Sequence, residues 1–131
     1  MSVKPQMSPD SQPYWDGFEE GRVRLPECTA CGHVHLPPGP VCPKCFGPDL
    51  RWIDASGKGT ISTFVVVRRA YFPDFEPPYP VVQAQLAEGP RMTGLMNAAD
   101  IDRLVIGARV EIDFARAPNG MTLPYFRLID A

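Results

Sequence analysis

The 131-residue chain predicts a mainly β protein: a short N-terminal helix, a zinc ribbon built on four cysteines, and a five-stranded OB-fold barrel. Three observations carry this expectation. There are 16 prolines and 11 glycines, with proline well above its usual ~5%. That excludes helix bundles and coiled coils, because each proline removes a backbone donor and fixes φ. Two C-x2-C pairs lie ten residues apart in a proline-rich segment. Beyond Gly59, apolar and polar residues alternate in short runs separated by turn signals, the mark of half-buried strands. The expected organisation is an arm and helix over residues 1–21, a ribbon over 22–55 and a barrel over 56–131.

Met1 to Asp10 reads as a disordered arm. A helix is expected to start after Ser11, which can cap it, with Pro13 in the first turn and Gly21 as its stop. Tyr14, Trp15 and Phe18 form its apolar side. So short a helix is marginal in water, so this side must bury on the protein itself or dock a partner. No apolar stretch reads as a signal peptide, and none approaches the ~20 residues of a membrane span. The expectation is a cytoplasmic protein, a compartment where disulfides are rare.

Four cysteines then call for a metal. Cys28-Thr-Ala-Cys31-Gly and Cys42-Pro-Lys-Cys45-Phe-Gly are knuckles, each placing two thiolates at the tip of a turn. Two knuckles supply the tetrahedral sulfur set of a structural zinc site. Gly32 and Gly47 stand where the turn past the second cysteine favours glycine. Metal binding energy replaces the core that residues 22–53 lack. Iron, in a rubredoxin-like site, is the rival metal, since four thiolates accept both. His33 and His35 have strand spacing and read as exposed strand residues.

The barrel strands are expected at Thr60–Arg69, Val81–Ala87, Arg91–Asn97, Arg109–Ala115 and Leu123–Ile129. Val82, Ala84 and Leu86 should face inward, as should Val110, Ile112 and Phe114. Ala98–Ile106 reads as a short helical connection capped by Asp100 and stopped by Gly107. Five strands with a helix between the third and fourth is the order of an OB barrel.

Several chemistries are excluded or weakened. No histidine lies outside the ribbon and no cysteine outside the knuckles, which removes Ser-His-Asp and Cys-His catalysis. A closed four-thiolate site leaves no position for water activation. Ser56-Gly57-Lys58-Gly59-Thr60 lacks the first glycine and spacing of a phosphate loop and reads as a turn into the first barrel strand. Residues 1–57 carry five basic and seven acidic side chains and residues 58–131 eight of each. Phosphate-driven nucleic-acid binding needs a basic surface instead.

Residues 70–80, Ala-Tyr-Phe-Pro-Asp-Phe-Glu-Pro-Pro-Tyr-Pro, place Tyr71, Phe72, Phe75 and Tyr79 among four prolines in the first long barrel loop. They could plug one barrel end or form an apolar lip for a ligand or partner. Arg68 and Arg69 lead into the loop. A cation beside such a lip suits an acyl chain on a phosphorylated handle.

The chain resembles the acyl-CoA-associated OB-fold proteins, in which a short helix and a rubredoxin-like zinc ribbon precede an OB-fold. The matching residues are Tyr14-Trp15-Asp16-Gly17, Cys28-Thr-Ala-Cys31-Gly-His, Leu36-Pro37-Pro38, Val41-Cys42-Pro-Lys-Cys45, Ser56 to Thr60, Glu88-Gly89-Pro90-Arg91 and Ile106 to Val110. The resemblance implies zinc on Cys28, Cys31, Cys42 and Cys45, and an accessory subunit of thiolase-like, hydratase or sterol side-chain aldolase systems. Such a subunit binds acyl-CoA, bridges partners or completes a partner's active site in a hetero-oligomer. Two other readings stand beside it. One is a single-stranded nucleic-acid-binding OB module, supported by stacking-capable aromatics and opposed by charge. The other is a rubredoxin-like iron electron carrier.

Overall fold

A computed structural model describes residues 7–129. Most of the arm expected at Met1 to Asp10 lies outside the described residues. Ser8 and Ser11 form a turn, in which the Ser11 amide donates to the Ser8 carbonyl at 3.0 Å. The elements are α1 (Gln12–Glu19), β1 (Arg24–Cys28), β2 (Leu50–Asp54), β3 (Lys58–Val67), β4 (Tyr79–Leu86), β5 (Arg91–Met96), a 3-10 turn (Ala98–Arg103), β6 (Arg109–Arg116) and β7 (Thr122–Leu128).

Helix α1 begins with proline in its first turn, where the missing N–H costs nothing. Ser11 holds the N-cap position, but its hydroxyl bonds to Ser8 and makes no bond to the helix. Gly21, at φ 74°, ends the helix and lets the Arg22 amide reach the Gly17 carbonyl at 2.8 Å. Only glycine adopts this turn without strain.

Strands β1 and β2 pair antiparallel from Arg24↔Asp54 to Cys28↔Leu50. From sequence this segment reads as loop-rich, because Pro26 and the surrounding prolines hide the strand pattern. Pro26 nonetheless sits fully buried within β1. The other five strands close a barrel in the order β3-β4-β5-β7-β6. β3 meets β6 through Lys58↔Glu111, and β5 meets β7 in parallel through Leu95↔Tyr125. This is the OB order, and each expected strand is present with its ends within two residues of those expected.

Val82, Ala84 and Leu86 point inward as expected, as do Val110 and Ile112, while Phe114 is half-buried. The connection after β5 is a 3-10 turn, and its cap is Asn97, whose side chain accepts from the Ala99 amide at 3.0 Å. Asp100 instead pairs with Arg103 one turn later.

One core serves the whole chain. Phe18 from α1 and Val23 and Leu25 from the ribbon side cluster with Ile61, Met92, Val110 and Phe126 of the barrel. Val34, Leu36 and Ile53 pack against them. The ribbon segment is therefore fastened by hydrophobic burial as well as by its knuckles, a correction to the reading that it lacks a core. Burial contributes roughly 1.5–3 kcal/mol for each large aliphatic or aromatic side chain.

Candidate metal centre and barrel-mouth groove

The two knuckles repeat one backbone design. In the first, the Gly32 amide donates to the Cys28 carbonyl at 2.8 Å and the Cys28 amide to the His33 carbonyl at 2.9 Å. In the second, the Phe46 amide donates to the Cys42 carbonyl at 2.8 Å and the Cys42 amide to the Gly47 carbonyl at 2.9 Å. Gly32 and Phe46 are thus equivalent, and both have positive φ, 78° and 63°. The expectation that Gly47 fills the left-handed position is corrected: Phe46 does. Gly47 is small for another reason. A Cβ there would stand 3.3 Å from Cys45 Sγ and 3.7 Å from Cys28 Sγ.

The turns bring all four sulfurs within 4.8 Å of one another. Cys28 Sγ lies 3.5 Å from Cys45 Sγ, and Cys31 Sγ 3.7 Å from Cys42 Sγ. Cys28 and Cys42 are buried, and Cys31 and Cys45 face outward. The sulfurs hold their protons unequally. Burial opposes ionisation of Cys42, but the Cys45 and Lys44 amides and the nearby thiols outweigh it and bring it down to about 7. The Cys31 amide lowers Cys28. Against the Gly47 amide, the surrounding thiols push Cys45 up to about 12. Four soft donors at this separation fit one tetrahedral ion.

A groove of about 670 Å³ opens at the barrel mouth. It is lined by Phe75 and Glu76 from the β3–β4 loop, Tyr79 at the start of β4, Pro118 from the β6–β7 loop and Tyr125 of β7. Leu95 and Met96 lie within it. This is the face on which OB-folds bind oligomeric ligands, between the first and last barrel loops. Its charges are Glu76, Asp100 and Asp113 against Arg127. Arg127 is already paired with Asp113 at 2.9 Å. Such a lining repels a phosphate backbone.

The structure divides the predicted lip. Phe75 and Tyr79 pack together, with ring centroids 5.7 Å apart, and line the groove. Tyr71 and Phe72 are exposed, at 65% and 46%. Arg68 and Arg69 are both exposed and do not line the groove. The Arg69 guanidinium stacks over the Tyr71 ring at 5.7 Å. Of the helix aromatics, Phe18 is buried against Phe114, whereas Tyr14 and Trp15 are half-buried. Burial raises the Tyr14 phenol above its ordinary range. Tyr14, Trp15 and Phe18 meet Phe75 and Leu95 around a second, smaller apolar pocket of about 200 Å³. The helix and the aromatic loop, far apart in sequence, therefore share one side of the barrel.

Leu95, Asp113 and Tyr125 look like ordinary strand residues in the sequence and line the groove only once the barrel closes. His35, expected on the surface, is buried. His35 is only 5% exposed, and burial, then neighbouring His33, lowers its pKa.

Ribbon, four-sulfur centre and five-stranded barrel together define a class: zinc-ribbon proteins with an OB-fold appended. Within that class the chain belongs to the ChsH2 family. Residues 15–51 match its rubredoxin-like zinc ribbon domain and residues 52–115 its C-terminal OB-fold domain. The chain is 34% identical, over 95% of its length, to a probable enoyl-CoA hydratase alpha subunit of Thermomonospora curvata, covering 39% of that protein. It is 29% identical, over 89% of its length, to the 3-oxo-4,17-pregnadiene-20-carboxyl-CoA hydratase alpha subunit of Mycobacterium tuberculosis, covering 37% of it. The chain thus spans about two-fifths of these two relatives. It is also 34% identical to a DUF35 domain-containing scaffold protein of Methanothermobacter thermautotrophicus, over 69% of each chain. Among solved structures, a chain of the Ltp2-ChsH2(DUF35) aldolase is similar with a TM-score of 0.87 and 31% identity. That match covers 95% of this chain and 98% of the other. Among the described residues no helix is long and apolar enough to cross a membrane.

Proposed function

We propose that this chain is a non-catalytic accessory subunit of an acyl-CoA enzyme complex, assembled with a thiolase-like aldolase or a hydratase subunit. The observation that carries this reading is the end-to-end likeness to a chain of the Ltp2-ChsH2(DUF35) aldolase, which extends over 98% of that chain. The hydratase alpha-subunit relatives point the same way. The site chemistry agrees. Both histidines lie in the ribbon and every cysteine in the knuckles, so the groove has no imidazole or thiol for nucleophilic catalysis.

In this reading Cys28, Cys31, Cys42 and Cys45 hold one zinc ion. Its role is to fasten the ribbon, since four protein thiolates leave no open position on the metal. The groove takes the apolar acyl part of an acyl-CoA against Phe75, Tyr79 and Tyr125, while its carboxylates keep the phosphorylated handle away. The exposed Tyr71, Phe72 and Arg69 serve the partner or the handle.

Co-expression with candidate thiolase-like and hydratase subunits, followed by co-purification and assay on acyl-CoAs, tests this reading. The expected result is a stable complex whose enzyme loses activity when this chain is omitted. A partner that is soluble and fully active alone refutes it. Salt-dependent binding of a single-stranded oligonucleotide by the free chain would support the nucleic-acid reading instead.

A further inference from the structure

A third cleft, of about 480 Å³, lies where the ribbon meets the β4–β5 turn. Its lining is more polar than apolar, and two of its groups lack partners. His35 is 95% buried by its 5% exposure, yet neither Nδ1 nor Nε2 has a hydrogen-bond partner. Glu88 Oε2 accepts from the Ser56 amide at 2.9 Å, but its buried Oε1 has no partner. Buried polar groups are nearly always paired, and leaving them unpaired is destabilising. Two such groups in one cleft point to a ligand that completes them.

The backbone identifies the kind of ligand. Segment 33–35 runs antiparallel to β1: the Cys28 amide donates to the His33 carbonyl and the His35 amide to the Pro26 carbonyl. Val34 faces Glu27 in a bridge between these two bonds. In an antiparallel ladder, the N–H and C=O of a residue so placed point away from the neighbouring strand. Val34 also lines the cleft. The cleft therefore combines the open backbone edge of one bridging residue, Val34, an imidazole that can donate and accept, and a carboxylate oxygen that accepts.

A metal ion does not fit these groups. Among the described residues the four cysteine sulfurs form the cluster that can share one ion, and His33, His35 and Glu88 form no such cluster. The two imidazoles lie parallel with centroids 6.1 Å apart, not converging on one point.

We propose that this cleft receives an extended peptide segment of the partner subunit, which pairs with the Val34 edge and hydrogen-bonds to His35 and Glu88. This is strand addition to a sheet edge, where main-chain bonds give affinity and side-chain contacts give specificity. The inference rests on the accessory-subunit reading and adds where on this chain the partner is held.

The test uses the zinc-loaded full chain and the subunit that co-purifies with it. Val34→Pro removes the donor of the open edge and leaves both bonds to β1 in place. His35→Leu removes the unpaired imidazole and keeps the cleft filled. The free His35→Leu chain should melt at or above the wild-type temperature, because an unpaired buried polar group has gone. Both variants should bind the partner at least tenfold more weakly. In the wild-type complex the Val34 amide should become protected from hydrogen exchange. If the wild-type chain forms no complex at all, the accessory reading fails, and this inference with it. If a complex forms and both variants bind normally, or the Val34 amide stays unprotected, the cleft proposal alone is overturned. A self-dimer of the free chain that Val34→Pro dissolves would assign the edge to a second copy and also overturn it.

Discussion

The Glu19 carboxylate at the end of α1 holds both donors of Thr122 at the start of β7: the amide at 3.0 Å and the hydroxyl at 2.9 Å. Arg116 stands 3.9 Å away. This contact joins positions 103 residues apart and pins the helix to the barrel edge. The Thr122 amide, then its hydroxyl, hold the Glu19 pKa below the usual carboxylate range, with Arg116 adding to the effect. A depressed carboxylate contributes stability above its unfolded pKa and loses it as pH falls through the folded value. Helix docking should therefore weaken in acid, below the ordinary carboxylate range near ~4.3. Trp15 fluorescence, read in a Trp52→Phe background, should report an acid transition that Glu19→Gln lacks. That variant should already show the looser helix at pH 7. Identical acid profiles would contradict the contact's role.

Removing one ligand tests the metal centre. Purified wild-type chain is expected to be colourless and to contain one zinc, and Cys42→Ser should lose most of it. Because thiolates bind the ion, wild-type metal should also be released progressively as pH falls. Hydrogen exchange in Cys42→Ser should rise in β1 and β2 and change little in β3 to β7. Exchange should rise in α1 too, since Phe18 shares its core with Val23 and Leu25. Unchanged metal content in the variant, or a red iron chromophore in the wild type, would contradict the assignment.

The equivalence of Gly32 and Phe46 predicts substitutions of opposite sign. A left-handed backbone costs a non-glycine residue about 1–2 kcal/mol, and Phe46 recovers little of this by burial, being 73% exposed. Phe46→Gly should stabilise the ribbon, by at most about 1 kcal/mol because glycine loses more freedom on folding. Gly32→Ala should destabilise it by about 1 kcal/mol. Thermal melts of the zinc-loaded proteins compare the two. If both substitutions destabilise, the knuckles are not equivalent.

The barrel was legible because its strands alternate: Val82, Ala84 and Leu86 alone specify one buried face. The four-sulfur centre was legible because knuckle spacing is local and its geometry follows from the turn. The ribbon pair was not, since Pro26 in β1 cannot donate to a ladder and its partner β2 lies beyond a proline-rich stretch of more than twenty residues. The groove was half legible. Phe75 and Tyr79 stand out in an aromatic loop, but Asp113 and Tyr125 reach the groove only through the closed strand order. His35 shares its cleft with the β4–β5 turn, more than fifty residues further along the chain. No local pattern encodes that juxtaposition.

Gly59 has a packing role that explains part of the Ser56-to-Thr60 string without any phosphate. A Cβ at Gly59 would lie 2.4 Å from the Gln85 carbonyl oxygen and 3.2 Å from Leu86 Cα. Both are backbone atoms of the paired strand β4, which cannot swing aside like a flexible side chain. Gly59→Ala should therefore destabilise the barrel by roughly 1–3 kcal/mol, the usual cost of overpacking. Denaturant unfolding measures it. A neutral substitution would mean that β3 and β4 sit farther apart than described.

The two halves of the aromatic loop should respond differently to truncation. Tyr71 and Phe72 are exposed, and Tyr71 contacts Arg69, which is exposed too. Tyr71→Ala and Phe72→Ala should leave the melting temperature of the free chain almost unchanged, because little buried area is lost. Phe75 and Tyr79 are half-buried against each other, and Phe75 also borders the pocket lined by Tyr14 and Trp15. Phe75→Ala should therefore cost stability, on the order of 1–3 kcal/mol, by removing part of that packing. The two exposed positions should matter only in the assembled complex, where Tyr71→Ala with Phe72→Ala is expected to weaken partner or acyl-CoA binding. Loss of binding with normal melting supports an outward-facing lip. A large drop in melting temperature for the exposed pair would instead make the whole loop a structural plug.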